Sequence, residues 1–361
     1  MLLRTRLLAL LLGIVWSPAA AASCLWQVFY PPNRDQTWNF LDAISVVGQN
    51  DVWAAGTYNG PSGYVAAQVV HFNGTKWSEA KSPDVSKFSA LAILAISDTN
   101  IWVVGSRVYH RLLSPSIVHW DGARWAVVHT PADALNGAFQ SIAEGGNELW
   151  VAGWFKGNAH DEPLVEHLDG SSWVMDSPFV PDNNAFIFSI VAASQKSIWA
   201  GGQGVVEHFT PSSGWVDAAQ GITGDVVSMS ARNERSVWAL GPEEGGPFVD
   251  KWEGNTWVSI PYPRSSTTAL MTSIEAKTST GYVWVTGLYD NRGIYTEFVD
   301  RYRNGIWEDT KVAQAGSWQN APDVLAAVPG TPDLWAVGHY TNTPSESFNL
   351  AERWTCPAGE Q

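Results

Sequence analysis

One pattern dominates the chain: a tryptophan followed three residues later by a glycine. It stands at Trp53/Gly56, Trp102/Gly105, Trp150/Gly153, Trp199/Gly202, Trp238/Gly241, Trp284/Gly287 and Trp335/Gly338. The tryptophans are 49, 48, 49, 39, 46 and 51 residues apart. Seven copies at such a period point to a repeat architecture, because a unit this short cannot bury its own apolar face.

Each copy divides into four strand-like segments. An apolar run such as Ala43-Ile44-Ser45-Val46-Val47 comes first, then a tight polar turn, then the Trp-x-x-Gly segment. After a loop of variable length, a third segment ends at Phe72, Trp120, Leu168, Phe209, Trp252, Tyr302 or Trp354. Hairpin dipeptides usually follow (Asn73-Gly74, Asp121-Gly122, Asp169-Gly170, Glu253-Gly254, Asn304-Gly305). The fourth segment opens at Trp77, Trp125, Trp173, Trp215, Trp257 or Trp307. Four short strands per unit describe a propeller blade, and no stretch keeps a helical period. The expected fold is all-β: a seven-bladed β-propeller with four antiparallel strands per blade.

The seventh copy stops without a fourth strand, seven residues after Trp354. Its substitute is expected at the other end of the chain, where Trp26-Gln27-Val28-Phe29-Tyr30-Pro31 resembles Trp125-Ala126-Val127-Val128-His129-Thr130-Pro131. Residues of about 24–30 should therefore pair with the C-terminal strands and close the ring. The hairpin spacing of the other blades puts Thr355, Cys356, Cys24 and Leu25 in the interrupted turn, with both cysteines central. A disulfide there needs Cα atoms about 4.4–6.8 Å apart. It would contribute on the order of 4–5 kcal/mol by closing so long a loop. Lipidation of Cys24 is the competing reading, but Ala21 stands where a lipobox wants leucine, and Cys356 would be left unpaired.

Residues 1–22 read as a secretory signal peptide: Arg4 and Arg6, an apolar run from Leu7 to Val15, and small residues up to Ala22. No other apolar stretch is long enough to span a bilayer. Residues 23–361 are thus expected to be one secreted propeller, extracellular or periplasmic, and monomeric. Cleavage removes two arginines and no acid, so the net charge moves from −14 to −16. With no basic run, such a chain repels phosphate backbones, and nucleic acid is not expected as a partner.

These residues resemble the tryptophan-rich W-A-V-G repeats of secreted bacterial propeller proteins, over essentially the whole mature chain. More distantly, Asn73-Gly-Thr-Lys-Trp77 and Asp169-Gly-Ser-Ser-Trp173 resemble the Asp-box hairpin of sialidase-like propellers. The leading serine and the Asp-x-Gly spacing of that box are missing, so sialidase activity is not implied. Kelch and WD-repeat signatures do not appear at matching positions.

In a repeat protein, a residue type found at one place in every copy is explained by packing, so candidates for function are what remains after subtraction. Of 21 tryptophans, those left are Trp38, Trp154 and Trp318. His71, His119, His167 and His208 form one column, continued by Lys251, Arg301 and Arg353. Equivalent positions in neighbouring blades lie too far apart for the ~2.1 Å ligand distances of zinc, so no metal is expected there. The preceding residue is acidic in five copies (Glu166, Glu207, Asp250, Asp300, Glu352), which reads as surface pairing on the opposite strand face. Off-column histidines are His110, His129, His160 and His339.

The leftover tryptophans and histidines fall in or beside the blade connections and the second-to-third-strand loops, which share one face of a propeller. Loops on a rigid scaffold commonly carry binding. The candidate ligand residues are Trp38, Trp154, Trp318, Tyr58, Tyr109, Tyr340, His110, His160 and His339, whose flat rings suit sugar faces. The expected function is non-catalytic binding of a glycan or an extracellular protein on that face, with no cofactor. The alternative is a polysaccharide hydrolase or lyase using paired loop carboxylates from among Asp161, Glu162, Asp182, Glu243, Glu244, Asp290 and Glu346. No nucleophile elbow, phosphate loop or metal-ligand cluster accompanies them.

Overall fold

Among the described residues, twenty-eight strands form seven antiparallel four-stranded sheets arranged as a ring. A computed structural model describes residues 24–356 except 61, 62, 84, 86, 146, 147, 177, 179–183, 245, 265–268, 292 and 293; of 290, 291 and 294 it describes only the backbone. The expected signal peptide lies outside the described residues. Apart from one short 3-10 turn, Pro131–Ala134, the assigned elements are all strands.

Blade 1 comprises Asn39–Gly48, Asp51–Asn59, Val65–Phe72 and Trp77–Glu79, ordered from the centre outward. Blades 2 to 6 repeat this order along the chain. Blade 7 is composite: Gln319–Ala327, Leu334–Thr341 and Phe348–Thr355 are completed by Leu25–Phe29. The register runs Leu25 to Thr355, Trp26 to Trp354 and Phe29 to Ala351. Cys24 and Cys356 form a disulfide across the interrupted turn, with Cα atoms 4.1 Å apart, slightly shorter than the expected range.

The repeated residues hold the blades together. The innermost strand carries a bulge, for instance between Leu41 and Ala43, opposite the repeated glycine. A Cβ on Gly56 would lie 2.0 Å from the Phe40 carbonyl oxygen, and on Gly338 1.8 Å from that of Ala321. Only glycine admits that approach. Each repeated tryptophan meets the basic column across the sheet: Trp53 stacks on His71 at 4.1 Å, Trp102 on His119 at 4.0 Å and Trp199 on His208 at 4.2 Å. Lys251 and Arg353 lie over Trp238 and Trp335 in the same way. Four of the fourth-strand tryptophans bridge blades, standing edge-on to the repeated tryptophan of the preceding blade. Trp173 meets Trp102, Trp257 meets Trp199 and Trp77 meets Trp335. Trp26 makes the same contact to Trp284, so the composite blade packs like the others.

The acidic column is not on the surface. Glu166, Glu207, Asp250 and Glu352 are fully buried and Asp300 nearly so. The physical reason is strand alternation: with the basic residue stacked on its own blade's tryptophan, the preceding residue turns toward the neighbouring blade. In blades 3, 5 and 6 it meets the connector leading into its own blade. Glu166 accepts from the Ala132 amide at 2.8 Å, and Asp250 from the Thr223 amide and hydroxyl. Asp300 takes Tyr262 and a two-pronged Arg264. These carboxylates satisfy connector groups that would otherwise be buried without partners.

Candidate functional site

The innermost strands of the seven blades surround a central channel of about 310 Å³. Near the connector face, the bulge positions of the inner strands of blades 1 to 6 line the channel, and Asp323 holds the equivalent position in blade 7. That place holds Leu91, Gln140, Phe188, Val227 and Thr272 in blades 2 to 6, but aspartate in blades 7 and 1: Asp323 and Asp42.

The chain builds this corner in the same way twice. Three residues before each aspartate is a buried asparagine that shapes the incoming connector. Asn39 Oδ1 accepts from the amides of Arg34 and Asp35, and Asn320 Oδ1 from those of Ala315 and Gly316. Between the two blades, Gln68 and Asn349, both fully buried, exchange amide hydrogen bonds of 3.0 and 3.1 Å. Gln68 also donates to the Phe40 and Thr57 carbonyls, and Asn349 to that of Pro32. The Asn39 and Ser347 amides donate to the Ser347 and Thr37 carbonyls, stitching blade 1 to blade 7.

The corner is rich in carboxyl groups. His339 Nδ1 lies 3.2 Å from Asp323 Oδ2, and Thr57 donates to Asp42 at 3.3 Å. Desolvation, reinforced by the Asp323 charge, pushes the Asp42 carboxyl up to about 7. Behind Asp323, Glu297 of blade 6 and Glu352 of blade 7 face one another across the blade interface, 4 % and 0 % exposed. None of their four carboxylate oxygens has a hydrogen-bond partner. Desolvation raises Glu297 to about 10, with the Glu352 and Asp323 charges adding to it, and raises Glu352 to about 8.

Aromatic rings wall this corner. Trp38 meets Phe40 at 4.7 Å, and Phe40 meets His339 at 4.4 Å. Tyr340 packs between Tyr30 and Phe348, at 5.5 and 5.4 Å. Trp318, 41 % exposed, is held by its amide to the Thr341 carbonyl. Tyr58 is half-buried beside Arg34, which also pairs with Glu79.

Five of the nine expected ligand residues (Trp38, Tyr58, Trp318, His339, Tyr340) thus belong to blades 1 and 7 and their connectors. The other four do not join them. Trp154 packs on Phe186 at the blade 3–4 boundary, and His160 sits half-buried in the adjoining loop. Tyr109 and His110 pack on each other at the exposed tip of a blade 2 hairpin, where His110 and Arg111 adopt left-handed backbone.

The loop carboxylates named for the hydrolytic alternative are scattered. Glu243 and Glu244 are exposed; Asp161, Glu162 and Glu346 are half-buried. Asp182 and the Asp290 side chain lie outside the described residues. The carboxylates that do gather (Asp42, Asp323, Glu297 and Glu352) were not among them. A signal was available: Asn-x-x-Asp opens the inner strand of copies 1 and 7 and of no other copy.

No protein-family model and no curated protein matches the chain. Solved structures do. The WD40 repeats of RRP9 superpose with a TM-score of 0.63 at 11 % identity, over 93 % of this chain and 99 % of that one. The WD40 β-propeller domain of Doa1 gives 0.63 at 10 %, over 94 % and 98 %. The extracellular domain of BT4673 from B. thetaiotaomicron gives 0.59 at 11 %, over 90 % of this chain but only 39 % of its own length. What the chain shares with all three is the β-propeller fold.

Proposed function

We propose that this chain is a secreted, non-catalytic binding propeller that holds a glycan or extracellular protein ligand at the channel mouth between blades 7 and 1. The observation that carries the reading is the concentration there of residues the repeat does not require: Trp38, Phe40, Trp318, His339 and Tyr340 around Asp42 and Asp323. Packing accounts for the repeated columns. It does not account for two aspartates at the same bulge position of adjacent blades. The disulfide supports an oxidising compartment. Among the described residues no helix is long and apolar enough to cross a membrane.

A glycan array and capture of extracellular proteins, both with the mature chain, test the proposal. Trp38→Ala and Trp318→Ala should each weaken binding tenfold or more, and Trp154→Ala should leave it unchanged. Equal losses in all three variants would move the ligand away from this mouth. N-terminal sequencing of the exported protein checks secretion, with Ser23 expected first.

A further inference from the structure

On the connector face, a groove of about 890 Å³ lies between the third strand of blade 1 and the segment leading into blade 2. Arg34, Tyr58, Tyr64, Glu79, Lys81 and Lys87 are among its lining residues. The blade 2 hairpin adjoins it, the Val108 amide donating to the Lys87 carbonyl. Residues 108–113 at the hairpin tip are all exposed, and Ile101 to Trp120 includes Arg107 and Arg111 but no acid. The chain as a whole has 21 basic and 35 acidic residues. Here the balance is reversed: Arg34, Lys81, Lys87, Arg107 and Arg111 stand against Asp35, Glu79 and Asp84. Glu79 is paired with Arg34, Asp35 accepts from Thr37 and Trp38, and Asp84 lies outside the described residues. Among the described residues, Lys87, Arg107 and Arg111 have no acidic partner, and the buried Arg107 Nε has no hydrogen-bond partner at all.

Three tyrosines here each hold a cation over the ring: Arg34 over Tyr58 at 5.6 Å, Lys87 over Tyr64 at 3.7 Å and Arg107 over Tyr109 at 4.8 Å. Tyr64 and Tyr109 remain 47 % and 48 % exposed. Lys87, His110 and Arg111 adopt left-handed backbone, with φ of 58°, 47° and 70°. Asn and Gly are the residues that suit such a hairpin turn. Strain retained at three neighbouring positions with cationic or imidazole side chains points to ligand contact rather than packing. The ligand these pairs match repeats a ring together with an anion. A uronic acid residue supplies both, a pyranose face for the tyrosine and a carboxylate for the cation beside it. An acidic peptide repeats the charge without the ring, and the acidity of the whole chain opposes the dense charge of nucleic acid. The groove also continues from the blade 7–1 mouth, since the Asn59 amide, next to Tyr58, donates to the Trp38 carbonyl.

We propose that the groove and the blade 2 hairpin bind the carboxylates of a uronic-acid glycan, with Lys87, Arg107 and Arg111 as charge partners. This rests on the binding reading above and names its ligand class. Calorimetry at pH 7 and low salt provides the test, with four probes: hexagalacturonate, its methyl ester, a glutamate hexapeptide and a thymidylate hexamer. Hexagalacturonate should bind at least tenfold more tightly than its ester. Lys87→Gln/Arg107→Gln should abolish that preference while the protein keeps its melting profile. Arg111→Gln, at an exposed tip, should reduce the preference at least threefold, and it decides the matter if the double variant melts early. Lys76→Gln/Lys196→Gln removes two charges from turns on the opposite face and should preserve the preference.

Equal binding of hexagalacturonate and its ester, lost in Trp38→Ala, would keep the binding function at the mouth and overturn the cationic groove. Binding of the peptide or the oligonucleotide alone, dependent on Lys87 and Arg107, would overturn the glycan and leave an acidic protein or a nucleic acid as ligand. A preference unchanged in both groove variants, or lost in the remote-charge variant, would overturn the assignment of these residues. Absence of binding by every probe, with nothing captured on the array, would overturn both proposals.

Discussion

The junction between blades 7 and 1 and the junctions from blade 3 to blade 7 solve the same problem with different chemistry. From blade 3 onward, one serine beside the bulge reaches the next inner strand. Ser141 accepts from the Ile190 amide, Ser189 from Met229, Ser228 from Ile274 and Ser273 from Leu325, at 3.1–3.2 Å. Val324 takes that place at the 7–1 junction, which relies instead on the Gln68–Asn349 amide pair and the stitched connector. A junction between consecutive blades is supported by a continuous backbone. The 7–1 junction has one too, residues 30–38; the interruption lies inside blade 7, where the disulfide stands in for the missing turn before Leu25–Phe29. The adjoining blade 6–7 interface buries the carboxyls of Glu297 and Glu352 without hydrogen-bond partners, which is costly unless they stay protonated.

The largest expected effect is covalent and lies at the seam inside blade 7, next to the 7–1 junction. Cys24→Ser/Cys356→Ser should cost about 4–5 kcal/mol in denaturant unfolding, and Leu25–Phe29 should lose hydrogen-exchange protection before the blade 4–5 strands. Equal loss across the ring would mean the closure is no weaker than the rest.

Gln68→Leu should follow, at about 2–3 kcal/mol, because it leaves Asn349 and two carbonyls buried without partners. Ser189→Ala at the blade 4–5 junction should cost only about 1 kcal/mol. Similar costs at both sites would erase the contrast.

The pH dependence sharpens the comparison further. Glu297 and Glu352 titrate higher in the folded chain than in the unfolded one, so the native state holds more protons between those values. Stability is then greatest below the ordinary carboxylate range and falls as pH rises toward about 8 and 10. Melting from pH 5 to 9 should show that decline, at about 1.4 kcal/mol per pH unit for each carboxyl that only the folded chain keeps protonated. Glu297→Gln/Glu352→Gln should flatten it, and Glu166→Gln at the blade 2–3 junction should do so less. A wild-type curve as flat as the double variant's would remove these carboxyls from the energetics of closure.

The smallest effect on stability, within about 0.5 kcal/mol, is expected for Trp318→Ala, since the ring is substantially exposed. A larger loss in thermal melts would make Trp318 a packing residue.

The repeat columns, the blade count and the place of the closing strand were legible in the sequence, because each follows from local spacing. Seven glycines mark where a bulged neighbour crowds the backbone, and two cysteines sit in the register of a missing hairpin. The conclusion that four column histidines belong to the scaffold followed from the same periodicity, and their stacking on tryptophan supplies the reason. The acidic column was misread because alternation along a strand says which residues share a face, not which face a neighbouring blade covers.

The sequence by itself thus determined the wheel and its seam, since both depend on residues near one another in the chain or aligned by the repeat. Only the tertiary structure decided which leftover residues meet. Trp38 and Trp318 stand 280 positions apart in the chain and serve adjacent blades because the ring brings its two ends together. Glu297 and Glu352 became a buried pair for a related reason: burial and charge coupling arise between blades, and no single repeat contains them.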